Sequence, residues 1–506
     1  MKKLVLVVVT AAAVVAAALI PSGPPVQAAS KGFGSAVSAV KQTTWQTNAS
    51  VTALAVAGNT VYAGGLFTRI RPPGAAKGVQ ESVRTYVAAF NKTTGAPTTF
   101  APKLNGAVRG IATSPDGKWV VLGGDFTTVN GVKRSKIAKF SVATGQLVAG
   151  WDPVVSARVK SIDIYGNSVF FGGAFTKVDS RVSNRLAAVK LTDGTLLPWN
   201  PNADDDVYAV RASGNGTRVF VGGPFETING KDHYSLAMVN STNGTALAMP
   251  AASLIPKPTW GCTTRVKVIE TQGNKVFAGN GGDGAGCYDG IIAADATTGK
   301  ALWQSNCLGA NEALKAIDGW LYKGSHAHDC SQDGSFGDGT GTHFLLVQSI
   351  ANGKIGPWFP NTDADPNSTT QVGPLAFAGD STGLWAGGDF LKVAGKGQQG
   401  LTRFSSAPGG AVPAVPKAPA LTAGAAKVTL KFTDVYDVDN ITLTYSVYRG
   451  TTKIGSYKYN SYYWDKRKTY TVTDTGVKSG QTVGYRIDVT DDRNTVKSST
   501  ASVKVH

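Results

Sequence analysis

The sequence is poor in charged residues and in long apolar runs. Charged side chains make up 16% of the 506 residues, against roughly 25% in an average soluble domain. This scarcity excludes a highly charged disordered chain and disfavours a coiled coil. Residues 4–20 form the only long apolar run, interrupted by Thr10, so a protein with several membrane-spanning helices is also excluded.

Several catalytic motifs are missing as well. There is no Gly-x-Ser-x-Gly turn and no zinc-protease motif, and the glycine-rich segment 279–290 lacks the Gly-Lys-Ser/Thr of a phosphate-binding loop. The net charge of +17 is spread along the chain without a dense basic run. We therefore expect no nucleic-acid partner, and a diffuse positive charge suits attraction to acidic polymers.

The first residues resemble an export signal. Lys2 and Lys3 precede the apolar run, a Pro/Gly break follows at 21–25, and Val26-Gln27-Ala28 provides a small-residue cleavage site. This order predicts a signal peptide over residues 1–28 and a secreted protein without a transmembrane segment in the mature chain. An uncleaved membrane anchor is the alternative.

Cysteines are few but even in number. In an oxidising compartment four cysteines indicate two disulfides, for which three connectivities exist. Proximity in the sequence favours the two local pairs over the other connectivities. These pairs are Cys262 with Cys287 and Cys307 with Cys330.

Glycine, by contrast, is abundant, with 61 residues, and much of it recurs in a pattern. A short β-type run followed by Gly-Gly-x-Phe occurs five times, and degenerate copies follow residues 276–278 and 320–322. Seven units of about 50 residues result. The glycine pairs begin at Gly64, Gly123, Gly172, Gly222 and Gly387.

Each unit carries about four short strands separated by turn residues, and no helical periodicity is present. This pattern predicts a seven-bladed β-propeller over residues 45–405, after a lead-in over residues 29–44. The last unit lacks its fourth strand, so we expect the N-terminal segment near Trp45 to supply it. A β-solenoid is the alternative, but it would use shorter repeats.

The repeated strand, Gly-Gly-x-Phe and Thr-Gly elements resemble the delta-sixty-type repeats of secreted bacterial β-propellers. The resemblance covers about residues 45–405. It implies a large exported protein of a kind that often carries a C-terminal carbohydrate-binding or fibronectin-like module. It implies nothing about chemistry.

A Pro/Ala-rich linker over residues 406–419 leads into a different pattern of longer alternating strands over residues 420–506. The segments 445–449, 470–476 and 484–491 resemble a fibronectin type III sandwich, and a PKD-type sandwich is the runner-up. The expected fold is therefore all-β, a seven-bladed β-propeller followed by an immunoglobulin-like β-sandwich.

Unit six departs most from the repeat, because Ser325-His326-Ala327-His328-Asp329-Cys330 follows its first glycine. Histidines two residues apart on a strand point to the same side. His326, His328 and Asp329 are therefore candidate ligand-binding residues, and His326, His328 and His343 are candidate metal ligands. A structural role beside a disulfide is the alternative. Asp333 and Asp338 mark a weaker candidate for calcium.

A second candidate lies in the C-terminal module, where Tyr463 and Trp464 precede a basic trio. Exposed aromatic rings beside cations can stack on sugars or hold an anionic polymer. Aromatic side chains that fill the core of the sandwich are the alternative.

These features favour a secreted protein that binds a cell-wall polymer or an extracellular polysaccharide without catalysis. The alternative is a carbohydrate-active hydrolase or lyase whose site lies over units five and six. No resident cofactor is predicted, and we expect a monomer.

Overall fold

The computed structural model describes residues 37–257, 261–283, 287–367, 372–406 and 410–506. The predicted signal peptide lies outside these residues. The described chain is all-β, and its helical content consists of two short 3-10 turns, Pro250–Leu254 and Ser331–Asp333. In the part of the chain described here, no helix has the length and apolar character needed to cross a membrane.

The strands follow the repeat units in chain order. Unit one contains β1 (Gln46–Thr47), β2 (Val51–Ala57), β3 (Thr60–Gly65), β4 (Arg69–Arg71), β5 (Ser82–Val83) and β6 (Val87–Asn91). Unit two contains β7 (Val108–Thr113), β8 (Trp119–Gly124), β9 (Thr128–Val129), β10 (Val132–Lys133) and β11 (Ile137–Ser141). Unit three contains β12 (Val159–Tyr165), β13 (Ser168–Gly173), β14 (Lys177–Val178), β15 (Arg181–Val182) and β16 (Leu186–Lys190).

The remaining units follow the same scheme with local changes. Unit four contains β17 (Ala209–Ala212), β18 (Arg218–Gly222), β19 (Thr227–Ile228), β20 (Lys231–Asp232), β21 (Leu236–Asn240) and β22 (Ala246–Leu247). Units five and six contain β23 (Thr263–Gln272), β24 (Lys275–Asp283), β25 (Ile291–Asp295), β26 (Ala301–Ser305), β27 (Asn311–Ile317), β28 (Trp320–Ala327) and β29 (His343–Ser349). Unit seven contains β30 (Gly373–Asp380), β31 (Gly383–Asp389), β32 (Lys392–Val393), β33 (Lys396–Gly397) and β34 (Leu401–Ser405).

Each unit forms one antiparallel sheet whose first strand is its inner strand, and the described residues contain seven such sheets. The inner strands contact one another in sequence from β2 to β30, and β30 returns to contact β2. The sheets are therefore arranged radially around an axis lined by the inner strands, which is the architecture of a β-propeller.

Close packing between neighbouring sheets explains the glycine pairs. A Cβ atom on Gly387 would lie 2.4 Å from Cγ1 of Val51 in unit one, and one on Gly388 would lie 2.2 Å from the carbonyl oxygen of Gly373. The same two contacts recur at the other four pairs. Neither Gly387 nor Gly388 has a positive φ. The first glycine therefore allows the next sheet to approach, and the second allows the inner strand of the same sheet to approach. A left-handed backbone conformation does not explain the pair.

The N-terminal segment closes the ring. The amide of Ser38 donates to the carbonyl of Ser405 at 3.0 Å, the amide of Gln42 donates to that of Arg403 at 2.8 Å, and Lys41 forms an antiparallel bridge with Phe404. The prediction that the N-terminal segment completes the last sheet is confirmed, but the residues that pair with the sheet differ from those expected. The closing residues lie before Trp45, inside the predicted lead-in, because β1 pairs with β4 of its own unit instead.

Most units carry a small extra hairpin at the end of the ring where the glycine pairs lie, which we call the hairpin end. In unit two, for example, β9 and β10 form this hairpin, and Val129 bridges to Leu104 in the segment that enters the unit. The described residues of units five and six form no such hairpin. There, Cys262 and Cys307 in the entering segments are bonded to Cys287 and Cys330 in the loops.

Both local disulfides predicted from the sequence are thus confirmed, and each joins the same two parts of a unit that strand pairing joins elsewhere. Disulfides are compatible with a secreted or extracellular protein.

The C-terminal region forms two further antiparallel sheets. Its strands are β35 (Ala420–Gly424), β36 (Lys427–Thr433), β37 (Thr442–Arg449), β38 (Thr452–Asn460), β39 (Thr469–Asp474), β40 (Thr482–Thr490), β41 (Thr495–Lys497) and β42 (Ala501–Lys504). One sheet has the order β35-β36-β39 and the other β38-β37-β40-β41, with β42 also paired to β40. Their facing side chains, including Leu430, Tyr445 and Ile487, form a separate buried core.

Candidate functional site

An open cleft of about 660 Å³ lies at the hairpin end, above units six and seven. Its lining combines imidazole, hydroxyl, carboxylate and aromatic groups. The residues are His326, His328, Thr342, Phe344, Ala364, Asp365 and Pro366. Two of the candidate residues from the sequence, His326 and His328, are therefore brought together at an accessible site.

The two histidines have different surroundings. His328 is exposed, and its Nδ1 atom lies 2.9 Å from a carboxylate oxygen of Asp338. His326 is half-buried, and Nδ1 of its ring has no hydrogen-bond partner among the described residues. Burial lowers the pKa of His326, although Asp289 and Glu312 act in the opposite direction. The imidazole of His326 is therefore neutral at neutral pH.

Asp329 and His343 lie outside this cleft. The carboxylate of Asp329 accepts a hydrogen bond from the amide of Ser331, the first residue of the short turn that follows, at 2.9 Å. His343 is 5% exposed and stacks on Phe336, with ring centroids 3.8 Å apart. Burial lowers the pKa of His343.

The metal predictions receive no geometric support. No three or more His, Cys, Asp or Glu side chains in the described parts of the chain are arranged to hold a metal ion. Asp333 accepts hydrogen bonds from Ser305 Oγ and the amide of Asn306, while Asp338 pairs with His328. The His326/His328/His343 and Asp333/Asp338 sites remain predictions.

Tyr463 and Trp464 pack against aromatic side chains of the propeller, and their predicted role in ligand binding stays a prediction. The ring of Tyr463 stacks on Phe359 of the propeller with centroids 4.0 Å apart, and Trp464 contacts Phe336 at 6.2 Å. Burial raises the pKa of Tyr463 well above its usual value. These two side chains join the C-terminal region to unit six, because the loop 331–342 presents apolar Phe336 to them. The sequence shows their aromatic character but not this partner.

A second cavity, of about 590 Å³, follows the axis of the ring. One tier of its wall comes from the same position of each inner strand. In units three to six this position holds Asp163, Arg211, Glu270 and Lys315, and in units seven, one and two it holds alanine (Ala378, Ala55 and Ala112).

The four charged side chains form a continuous ladder of alternating sign. Arg211 lies 3.3 Å from Asp163 and 3.4 Å from Glu270, and Lys315 lies 2.7 Å from Glu270. Burial raises the pKa of Asp163, while Arg211 acts to lower it. One half of the channel wall at this level is therefore charged and the other half is apolar. Sequence reasoning missed this ladder, although alignment of the inner strands would have revealed it.

The channel and the cleft are neighbours at the hairpin end. One position along the chain after the valines that face the glycine pairs, the inner strands present charged and aromatic side chains to the channel. These residues are Arg109, Lys160, Tyr208, Lys267 and Glu312. Lys267 and Glu312 form an ion pair at 2.5 Å. Glu312 acts to raise the pKa of His326, and Lys267 acts to lower it. A ligand at the hairpin end can therefore contact the cleft and the channel mouth together.

Comparison with known proteins gives no family and no curated relative, since no family model and no curated protein matches the chain. Solved structures give distant likenesses. A crystal structure of the mitotic checkpoint complex matches with 12% identity and a TM-score of 0.43, over 70% of this chain and 89% of that chain. The β-propeller domain of Myceliophteria thermophila Cps50 (Swd1) matches with 9% identity and a TM-score of 0.42, over 72% and 99%.

Proposed function

We propose that this chain is a secreted glycan-binding protein without catalytic activity, built from a seven-bladed β-propeller of the delta-sixty repeat type and a fibronectin type III-like module. The seven sheets of the described ring and its non-covalent closure support the blade count. The two-sheet C-terminal region supports an immunoglobulin-like sandwich. The signal-like N-terminus and the two disulfides support secretion.

The observation that carries the binding proposal is the composition of the cleft over units six and seven. A half-exposed aromatic ring, Phe344, lies beside the polar groups of His328, Thr342 and Asp365. Sugars present an apolar ring face together with hydroxyl groups that donate and accept hydrogen bonds. An aromatic platform flanked by hydrogen-bonding side chains matches both features.

Retention of the full chain on insoluble cell-wall polysaccharide tests this function. Wild type is expected to be retained, and Phe344→Ala and His328→Ala are expected to weaken retention. Tyr165→Ala is the matched control, because Tyr165 is an exposed aromatic residue at the other end of an inner strand. Equal retention of all four proteins, or no retention of wild type, contradicts the proposed site.

A second candidate function, glycan cleavage, is favoured by the position of His326 in the cleft wall and by the neutral state of its ring. A neutral imidazole in an open cleft can accept a proton from a substrate. Release of new sugar chain ends from a polysaccharide, lost in His326→Ala but retained in Tyr165→Ala, would establish a hydrolase or a lyase. Retention without new chain ends leaves the binding function.

A further inference from the structure

Three cations converge on a single aspartate where units two and three meet at the hairpin end, two on its carboxylate and one on its backbone carbonyl. The carboxylate of Asp125 accepts a hydrogen bond from Arg109 Nε at 3.1 Å, and its other oxygen pairs with Arg158 Nε. Lys136 Nζ donates to the backbone carbonyl of the same aspartate at 2.8 Å. Burial acts to raise the pKa of Asp125, but Arg158 and Arg109 outweigh it and hold this pKa below its usual value. One negative charge thus faces three positive charges.

The neighbouring junction of units three and four repeats this imbalance more weakly. Lys160 Nζ lies 2.7 Å from Asp206 and 4.2 Å from the centre of the Tyr208 ring, and Arg185 Nε lies 3.7 Å from Asp206. We call the five cations of the two junctions the cationic sector: Arg109, Lys136, Arg158, Lys160 and Arg185. Two of them, Arg109 and Lys160, also line the axial channel.

Two cations of the sector, Lys136 and Arg185, occupy a position whose backbone is left-handed in five of the units. Lys136 and Arg185 each immediately precede the third strand of a sheet and have φ values of 71° and 67°. The corresponding residues in units one, four and seven are Tyr86, Ser235 and Gly400, with φ values of 70°, 62° and 72°. Lysine and arginine are strained in this left-handed region, whereas glycine is not.

Charges farther from the axis define the limits of the sector. The exposed hairpin residues Lys133, Lys177 and Arg181 extend the positive surface over units two and three, with one exposed carboxylate, Asp179, among them. Exposed Asp204 and Asp205 end it on the side of unit four. The result is a positive surface of limited extent next to the mouth of the channel.

We propose that the cationic sector binds the carboxylate groups of an acidic polysaccharide. This inference rests on the proposed glycan-binding function and names the chemical class of its ligand. Arginine presents a planar, forked set of donors that matches a carboxylate in two parallel hydrogen bonds, and Arg109 and Arg158 lie on either side of Asp125. A polymer running from the sector across the channel mouth reaches the cleft beside His326.

The test measures binding of the full chain to polygalacturonate, with neutral dextran and duplex DNA of similar length as comparison polymers. The double variant Arg109→Gln/Arg158→Gln is expected to bind polygalacturonate about tenfold or more weakly, because it loses two charge-assisted pairs with the polymer. The control Lys427→Gln/Lys431→Gln removes the same charge from exposed positions in β36 and is expected to leave binding unchanged.

Lys136→Gly is a second test variant, which serves if the double variant folds poorly. Glycine relieves the left-handed strain while it removes a cation, so we expect unchanged or higher thermal stability together with weaker binding. If both double variants bind polygalacturonate equally weakly, the net charge of the protein explains the loss, and the inference is overturned. Undiminished binding in both the double variant and Lys136→Gly would overturn the inference, and equally tight binding of DNA would show a general polyanion site instead.

Failure of this inference can be told apart from failure of the proposed function. Retention on a neutral glycan that depends on Phe344, with no affinity for polygalacturonate, would leave the glycan-binding function standing and remove its acidic ligand. Absence of affinity for every glycan would remove both.

Discussion

At the scale of single residues, the junction between units five and six differs from the rest of the ring. Asn280 and Ser325 replace the second glycine of the pair in units five and six. Asn311 replaces the valine that faces the first glycine, and Lys323 lies where other units have an apolar residue. All four are wholly buried. Asn311 Nδ2 donates to the carbonyl oxygen of Asn280 at 3.2 Å. Lys323 Nζ, however, has no hydrogen-bond partner among the described residues.

Lys323→Met is expected to stabilise the protein at pH 7. Burial lowers the pKa of Lys323 to about 8 despite the attraction of Asp289 and Asp333. The folded protein therefore holds a buried, unpartnered ammonium at pH 7, which a side chain of similar length without charge avoids. Melting temperature measures the effect, with exposed Lys431→Met as the control.

The pH dependence of this gain follows from the direction of the shift. Above about pH 8 the folded amine is neutral, whereas the unfolded amine stays charged until about pH 10.4. Wild type therefore gains stability as pH rises through this window, and the advantage of Lys323→Met shrinks. A lower melting temperature for the variant at pH 7 would show that the two aspartates stabilise the ammonium.

At the scale of strands and loops, the repeated glycine pair is the element that determines how closely the sheets approach. Its first glycine faces a valine of the next sheet, from Gly64 against Val108 around the ring to Gly387 against Val51. The last of these contacts joins the end of the propeller to its beginning. It therefore contributes to closure together with the pairing of the N-terminal segment.

Gly387→Ala is expected to lower stability by about 1–3 kcal/mol, the usual cost of overpacking a tight core. The added methyl group would overlap Val51 Cγ1. Gly397→Ala is the matched control, because a Cβ atom there has no neighbour within 4 Å and β33 lies at the edge of the ring. Denaturant unfolding followed by tryptophan fluorescence compares the two variants, and equal stabilities would contradict this account of closure.

Much of this organisation was predictable because the glycine pair recurs at regular spacing along the chain. The pairing of the four cysteines was also predictable, since each pair lies within one unit. The closing strand was misplaced because Trp45 resembles the tryptophans of the fourth strands, whereas residues 38–42 carry no such marker. The axial ladder could have been found by aligning the inner strands of the repeat, because its four residues occupy the same position. The role of Tyr463 depends on a contact with Phe359 of a distant segment, which spacing along the chain does not reveal.

At the scale of the whole molecule, a single buried carboxylate connects the ring, the linker and the C-terminal region. Asp439 Oδ2 accepts the amide of Ala39 at 2.7 Å, Ser38 Oγ at 3.1 Å and the amide of Ala411 at 3.0 Å. Asp437 lies beside it and is 2% exposed. Burial and the neighbouring Asp439 raise the pKa of Asp437 to about 8. The junction therefore holds Asp437 protonated at neutral pH.

Asp437→Asn is expected to remove a pH-dependent loss of stability. In wild type the folded carboxyl keeps its proton up to about pH 8, whereas the unfolded one loses it near pH 4. Stability therefore falls as pH rises between these values, and asparagine, which stays neutral, avoids the loss. Thermal unfolding from pH 4 to pH 9 should show similar stabilities at the acid end and a more stable variant at pH 8. Parallel curves would show that Asp437 is ionised in the fold.

The central claim is that the hairpin end of the propeller recognises a glycan. Hydrogen–deuterium exchange of the full chain, with and without the glycan that retains it best, tests this claim most directly. The account predicts slower exchange in residues 324–344 and 363–367 and at the ends of the inner strands near Arg109 and Lys160, with the C-terminal sheets unchanged. Protection confined to residues 420–506 would contradict it.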